Sequence, residues 1–145
     1  MKIIIETDKN IDEPTIIIRC AEIDKKINNL VEMINSHYLT LTGKINNEEY
    51  IIKLEDIFYF EAVDNHVFAY TSDNIYEVPY KINILNEMLS DTSFLQISRT
   101  VILNIAKIKK ISKIVNGRML AILNNHEKII ISRAYAQNLK EKLKS

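Results

Sequence analysis

From Leu39 to Ile131 the chain runs as short β-branched and aromatic stretches, closed repeatedly by Asn, Asp, Ser or Gly. Leu39-Thr40-Leu41-Thr42, Tyr50-Ile51-Ile52, Ile57-Phe58-Tyr59-Phe60-Glu61, Val67-Phe68-Ala69-Tyr70-Thr71 and Ile75-Tyr76-Glu77-Val78 each read as a strand. Gly43-Lys44, Asn46-Asn47, Asp64-Asn65 and Ser72-Asp73-Asn74 supply the turn chemistry between them. After a short helix over 82–89, strands resume at Phe94-Leu95-Gln96-Ile97, Ile108 to Val115, Met119 to Leu123, and Ile129-Ile130-Ile131. Asn116-Gly117 and Asn124-Asn125 punctuate the last three as a meander. Ser132 then caps a final helix whose apolar stripe is Ala136, Leu139 and Leu143. The expected architecture is mainly β, with antiparallel sheets and short helices.

The first 38 residues differ. Ile3-Ile4-Ile5 and Thr15-Ile16-Ile17-Ile18 predict two covered strands with Asp12-Glu13-Pro14 as the breaker between them. Ile23, Ile27, Leu30, Val31 and Ile34 then recur at helical spacing, and Ser36-His37 ends the helix. This gives a small N-terminal α/β segment over 1–38, a candidate dimerisation or regulatory element, ahead of a β domain over 39–145.

Composition bounds the functional classes. At 145 residues, 47% hydrophobic and 26% charged, the chain is one globular unit and not a disordered one. No apolar run approaches the ~20 residues that span a bilayer, and the start is too short for a signal peptide. The single cysteine, Cys20, closes no internal disulfide, so a cytoplasmic location is expected. Two glycines provide no phosphate-cradling loop. His37, His66 and His126 are scattered without metal-ligand spacing. A non-enzymatic chain without cofactor or metal is therefore expected.

The formal net charge of zero conceals a division. Residues 98–145 hold eleven basic side chains against two acidic, a balance of +9, while residues 1–97 hold eight against seventeen, a balance of −9. Such asymmetry hints at a polyanionic partner. An uneven split of ordinary surface charge is the bland alternative. Three polar loops suit that partner. At Asp64-Asn65-His66, Asn65 and His66 can donate to base edges or phosphates, although a polar hairpin tip needs no such role. Ser98-Arg99-Thr100 places the planar fork of an Arg between two hydroxyls, and Ser132-Arg133 repeats that chemistry at the start of the last helix. A surface turn and a solvated helix cap are the plain readings of these two.

These blocks, in this order, resemble the LytTR DNA-binding domain of bacterial transcription regulators. The resemblance runs from about Leu39 to Leu143. It rests on Leu54-Glu55-Asp56-Ile57-Phe58-Tyr59-Phe60-Glu61 followed by His66, on the helix around Ile84 to Leu89, and on Ile131-Ser132-Arg133. Its most specific part is Phe94-Leu95-Gln96-Ile97-Ser98-Arg99-Thr100-Val101-Ile102-Leu103-Asn104-Ile105-Ala106-Lys107-Ile108. The family resemblance implies elongated antiparallel sheets whose loop side chains enter successive major grooves of duplex DNA, with no recognition helix. Carried over by position, His66 contacts a base or phosphate, with Asn65 beside it in the same loop. Arg99 and Arg133 read bases, and Ser98, Thr100, Ser132, Lys107, Lys109 and Lys110 hold the backbone. One departure is plain: the family commonly has His-Arg-Ser where this chain has Ser98-Arg99-Thr100, so the first imidazole is lost.

Residues 1–38 are too short for the phosphoacceptor domain that many members carry, so control by phosphorylation is not expected. The short members of the family imply, by analogy, a membrane-protein regulator. A homodimer on repeated half-sites is also expected, because one small module reads few base pairs. Two other classes stay open at this point: a protein-interaction module docking an acidic partner through the basic half, and an RNA binder. The latter lacks an obvious exposed stacking platform.

Overall fold

The computed structural model describes residues 1–144, in which ten strands and three helices follow one another. Helix α1 (Lys25–Tyr38) leads to β1 (Thr40–Ile45), β2 (Glu48–Lys53), β3 (Ile57–Val63), β4 (His66–Thr71) and β5 (Ile75–Val78). Helix α2 (Ile82–Met88) precedes β6 (Phe94–Gln96), β7 (Val101–Asn104), β8 (Ile108–Lys113), β9 (Met119–Leu123) and β10 (Lys128–Ile131), and α3 (Arg133–Lys144) ends the chain. The first seven strands form one sheet in the order β2-β1-β5-β4-β3-β7-β6, and the last three form a second in the order β10-β9-β8. Every pairing is antiparallel. The turn chemistry is local: Asn46 and Asn47, and again Asp64 and Asn65, take positive φ in two-residue hairpin loops.

The larger sheet is covered on both faces. One face packs Ile57, Phe60, Val67, Ala69 and Ile102 against Leu85 and Leu89 around α2. The other packs Phe58, Tyr59, Val101 and Leu103 against Met119, Ala121, Leu123 and Ile131 of the second sheet and Ala136 and Leu139 of α3. Strand β3 serves both through a bulge. Ile57 pairs with Thr71 and Tyr59 with Tyr70, so Phe58 is an extra residue on its strand. That shift turns Phe58 and Tyr59 together toward the second sheet and leaves Ile57 and Phe60 on the α2 side, which is why four consecutive residues are buried.

The N-terminal expectation needs correction. Of the α/β segment, the helix forms, with the Asp24 carboxylate accepting from Ile27 N at 2.9 Å, but neither strand does. Residues 1–24 carry no strand, and Ile3, Ile5 and Ile17 are 75%, 85% and 74% exposed. A β-branched run becomes a strand only beside another strand's free edge, and no described strand lies against these two. Helix α1 itself is fastened to the β body by the Asn35 amide on the Asp91 carbonyl and by the Ser36–Ser93 hydroxyl contact. No helix among the described residues is long and apolar enough to cross a membrane.

A polar contact also closes the second core. The buried Tyr59 ring stacks on Tyr70 at 4.4 Å, and its hydroxyl donates to Glu127 Oε1 at 2.6 Å. Burial, then the Glu127 hydrogen bond, push the Tyr59 phenol well above its ordinary range. The folded state therefore keeps a proton that the unfolded chain releases near pH 10, and the stabilisation is lost as pH rises beyond that point. Thermal melts from pH 9 to 11 should show a falling midpoint, with a shallower fall in Tyr59→Phe. Equal slopes for the two proteins would show that this phenol does not govern the alkaline limit.

Candidate nucleic-acid interface

The Ser98-Arg99-Thr100 loop joins β6 to β7 and is tied down on three sides. Ile97 N donates to Val101 O at 3.0 Å, closing the loop on itself, and Thr100 N donates to Ser98 Oγ at 3.3 Å. Ala62 N, near the end of β3, donates to Thr100 O at 2.8 Å. Ser132 N, immediately before α3, donates to Ile97 O at 3.0 Å. All but the Ser98 Oγ bond join backbone to backbone, so those three fix the loop whatever its side chains do. Arg99 and Thr100 remain exposed, and among the described residues no hydrogen bond or ion pair engages the Arg99 guanidinium.

The other two loops meet this hub. Two residues beyond Ala62 the β3–β4 hairpin turns at Asp64 and Asn65, both exposed and left-handed, and His66 opens β4. The His66 Nδ1 lies 2.5 Å from Glu77 Oε1 on the neighbouring β5. An ionised carboxylate only accepts, so Nδ1 donates to it and the outer ring nitrogen, Nε2, is left for a ligand. On the other side, Ser132 and Arg133 stand at the start of α3, with Arg133 exposed and its guanidinium likewise unengaged among the described residues. The structure thus brings His66, Asn65, Ser98, Arg99, Thr100, Ser132 and Arg133 to one end of the larger sheet, although 68 positions separate the first loop from the last.

The three lysines are placed differently. The Lys107 ammonium sits over the Phe58 ring, 5.0 Å from its centroid, near the start of β3. Phe58 and Val63 are five positions apart on the strand, about 16 Å, so Lys107 lies toward the far end from the loops. Lys109 and Lys110 are exposed on β8, an edge strand of the second sheet, where Lys109 is the extra residue of a second bulge. Charged side chains on such an edge also discourage pairing with another chain.

The turn between β8 and β9, legible in the sequence as a hairpin break, carries a site contact that sequence reasoning did not assign to it. Asn116 and Gly117 both have positive φ there, at 64° and 74°, and the turn sits against the Arg133 side chain: a Cβ on Gly117 would stand 3.0 Å from Arg133 Cγ. Lys113 and Arg118 flank this turn, which puts two more cations on the loop side of β8. The signal was present as Asn116-Gly117 but read only as punctuation. Among the described residues no group of three or more His, Cys, Asp or Glu is gathered to hold a metal.

Comparison with known proteins gives a consistent picture. A family model described as the LytTr DNA-binding domain matches residues 47–144. The sensory transduction protein LytT of Enterococcus faecalis is 30% identical over 94 residues, covering 65% of this chain and 39% of that protein. Its counterpart in Bacillus subtilis is 32% identical over 93 residues, again reaching 39% of the longer protein. The chain therefore spans about two fifths of the length of these curated relatives. An uncharacterized HTH-type transcriptional regulator of Staphylococcus aureus is 27% identical over 147 residues, covering 99% of this chain and 98% of that one. Among solved structures, a LytTr DNA-binding domain from Bacillus cereus superposes with a TM-score of 0.68 at 22% identity, over 72% of this chain and 95% of that one.

Proposed function

The chain belongs to the LytTr DNA-binding domain family, and from that membership we propose that it is a sequence-specific, non-enzymatic transcription regulator that reads duplex DNA with loop side chains. Arg99 and Arg133 read base edges, each guanidinium offering two parallel donors suited to a guanine. His66 contacts a base or phosphate through Nε2, with Asn65 beside it at the hairpin tip. Ser98, Thr100 and Ser132 hold the phosphate backbone, with Lys107, Lys109 and Lys110 adding charge further along. The observation that carries this reading is the convergence of three loops, locked by backbone hydrogen bonds, with two unengaged guanidiniums among them.

The helices argue for loops over a recognition helix. Five strands separate α1 from α2 and five more separate α2 from α3, so no two helices follow one another as a helix-turn-helix requires. The loop cluster lies at one end of the sheet, which suits successive major grooves approached from one side of the duplex. Two copies on repeated half-sites would supply the contact area that one module lacks. Residues 1–38 are the candidate dimerisation or regulatory segment, acting in the cytoplasm, with a membrane protein as regulator by family analogy.

Selection of bound fragments from random duplex DNA tests the reading directly. A recurring motif in repeated half-sites is expected, bound roughly 10³-fold or more above random duplex. Binding to it should weaken with salt at a log–log slope of about −4, as four to five phosphates are neutralised. A module that merely docks acidic surfaces would return no motif, and that outcome would overturn the proposal.

A further inference from the structure

We propose that Gly117 is a positioning residue for Arg133: the bare backbone of the β8–β9 turn is the seat across which the Arg133 side chain reaches the duplex. This rests on the reading of Arg133 as a DNA-contacting residue. Three atoms of one side chain define the seat. A Cβ built on Gly117 would stand 3.0 Å from Arg133 Cγ, 3.3 Å from Cδ and 3.5 Å from Nε, so the stem runs alongside the turn from its second methylene to the guanidinium.

The Arg133 backbone is held in place, so a side chain at Gly117 would have to turn the Arg133 stem aside. Arg133 is the first residue of α3, whose position is set by Ser132 N on the Ile97 carbonyl and by Ala136 and Leu139 buried in the second core. Its guanidinium, by contrast, has no hydrogen bond or ion pair among the described residues. The direction of the fork is therefore set by packing of the stem alone. An Arg that samples many rotamers must be ordered on binding, and that ordering weakens binding. Resting the stem on the turn does part of the ordering in advance.

Gly117 also has φ 74°, a conformation for which glycine is favoured on backbone grounds alone. The two roles are separable because Asn tolerates left-handed backbone, as Asn116 at φ 64° does next door. Gly117→Asn keeps the turn within reach and adds the side chain that would displace Arg133.

The test is a double-mutant cycle of Gly117→Asn with Arg133→Ala on the full chain, measured against its selected duplex and a scrambled one. Thermal melting and circular dichroism of each variant serve as the fold controls. Gly117→Asn is expected to weaken cognate binding about tenfold and to leave scrambled binding unchanged. In the Arg133→Ala background the same change should cost less than about twofold. Equal losses in both backgrounds would overturn the seat, since the turn would then act independently of Arg133. Unaltered cognate binding by a folded Gly117→Asn would overturn it as well. If Gly117→Asn fails to fold, the Arg133 Nε–Hε heteronuclear NOE of the free parent protein decides the point: an Nε more rigid than that of Arg99 supports the seat, and one equally mobile overturns it. An Arg133→Ala protein that binds as tightly as the parent would overturn the reading of Arg133 itself, and the seat with it.

Discussion

Asn104→Leu should lower the stability of the chain by about 3–5 kcal/mol, although the two side chains are close in size. Asn104 is 2% exposed at the end of β7 and serves three partners at once. Its Nδ2 donates to the Ile57 carbonyl at 2.9 Å, and its Oδ1 accepts from Ser93 Oγ at 2.7 Å and from Ala106 N at 3.1 Å. Ser93 thereby uses its one proton, so at the 3.4 Å contact with Ser36 Oγ it accepts, and α1 is linked to the same network. Leucine satisfies none of these groups, and each polar atom left buried without a partner costs about 1–3 kcal/mol. A chain of this length loses about 2–4 °C of melting temperature per kcal/mol, so the midpoint should drop by roughly 10 °C. Asn104→Asp makes the sharper control. It keeps the acceptor for Ser93 and Ala106 but donates to Ile57 only when protonated, so its folded state favours the protonated acid. The variant should regain stability as pH falls and lose it as pH rises. A leucine variant melting within a degree or two of the parent would show that the network does not hold the fold.

Asn104 also shows what the motif around it encodes. The run Phe94 to Ile108 is the most specific stretch in the sequence, yet at the loop cluster only Arg99 and Thr100 are exposed, with Ser98 half-buried beside them. The Asn that ends the apolar run is a fastening between β3, Ser93 and the turn after β7. A specific motif therefore mixes residues that build the sheet with residues that face outward, and sequence spacing does not separate them. Burial does.

The same distinction explains which parts of the fold were legible. Strands β1 to β5 follow from alternation and from turn residues, because a two-residue Asn-Asn or Asp-Asn loop already prefers the left-handed conformations found there. Ile3-Ile4-Ile5 and Thr15 to Ile18 have the same local preference and form no strand, since local preference does not supply a neighbour. The bulge at Phe58 was equally hidden. Nothing in Ile57-Phe58-Tyr59-Phe60 shows which residues face α2 and which face the second sheet, and only the pairing with β4 decides it.

In the candidate site, chemistry was legible and proximity was not. Arg99 and Arg133 stand out by residue type, but 34 positions separate them, and a single backbone bond from Ser132 to Ile97 sets their loops side by side. Lys107, carried over by position from the family resemblance, lies over Phe58 toward the other end of β3. Gly117 was legible only as a turn residue, because its further effect depends on what lies opposite, which is Arg133.

The second large effect concerns that pair. Arg99→Ala with Arg133→Ala should cost about 2–6 kcal/mol in binding to the selected duplex, or roughly 30-fold to 10⁴-fold, while scrambled duplex loses far less. The reason is a difference in what the charges do. A guanidinium on a base edge makes two directed hydrogen bonds that a wrong base cannot return, whereas a cation near phosphate acts through charge on every sequence alike. Replacing Lys109, Lys110 and Lys113 with Gln should accordingly weaken both duplexes by similar factors and flatten the salt slope by about 3. The loops belonging to Arg99 and Arg133 are anchored through main-chain atoms, so the alanine variants keep the Ser132–Ile97 and Ala62–Thr100 bonds and should melt with the parent. That makes the loss attributable to recognition and not to folding. If the double variant bound cognate and scrambled duplex in the parent's ratio, the two arginines would be ordinary surface cations, and specificity would have to reside in the hairpin at Asn65 and His66.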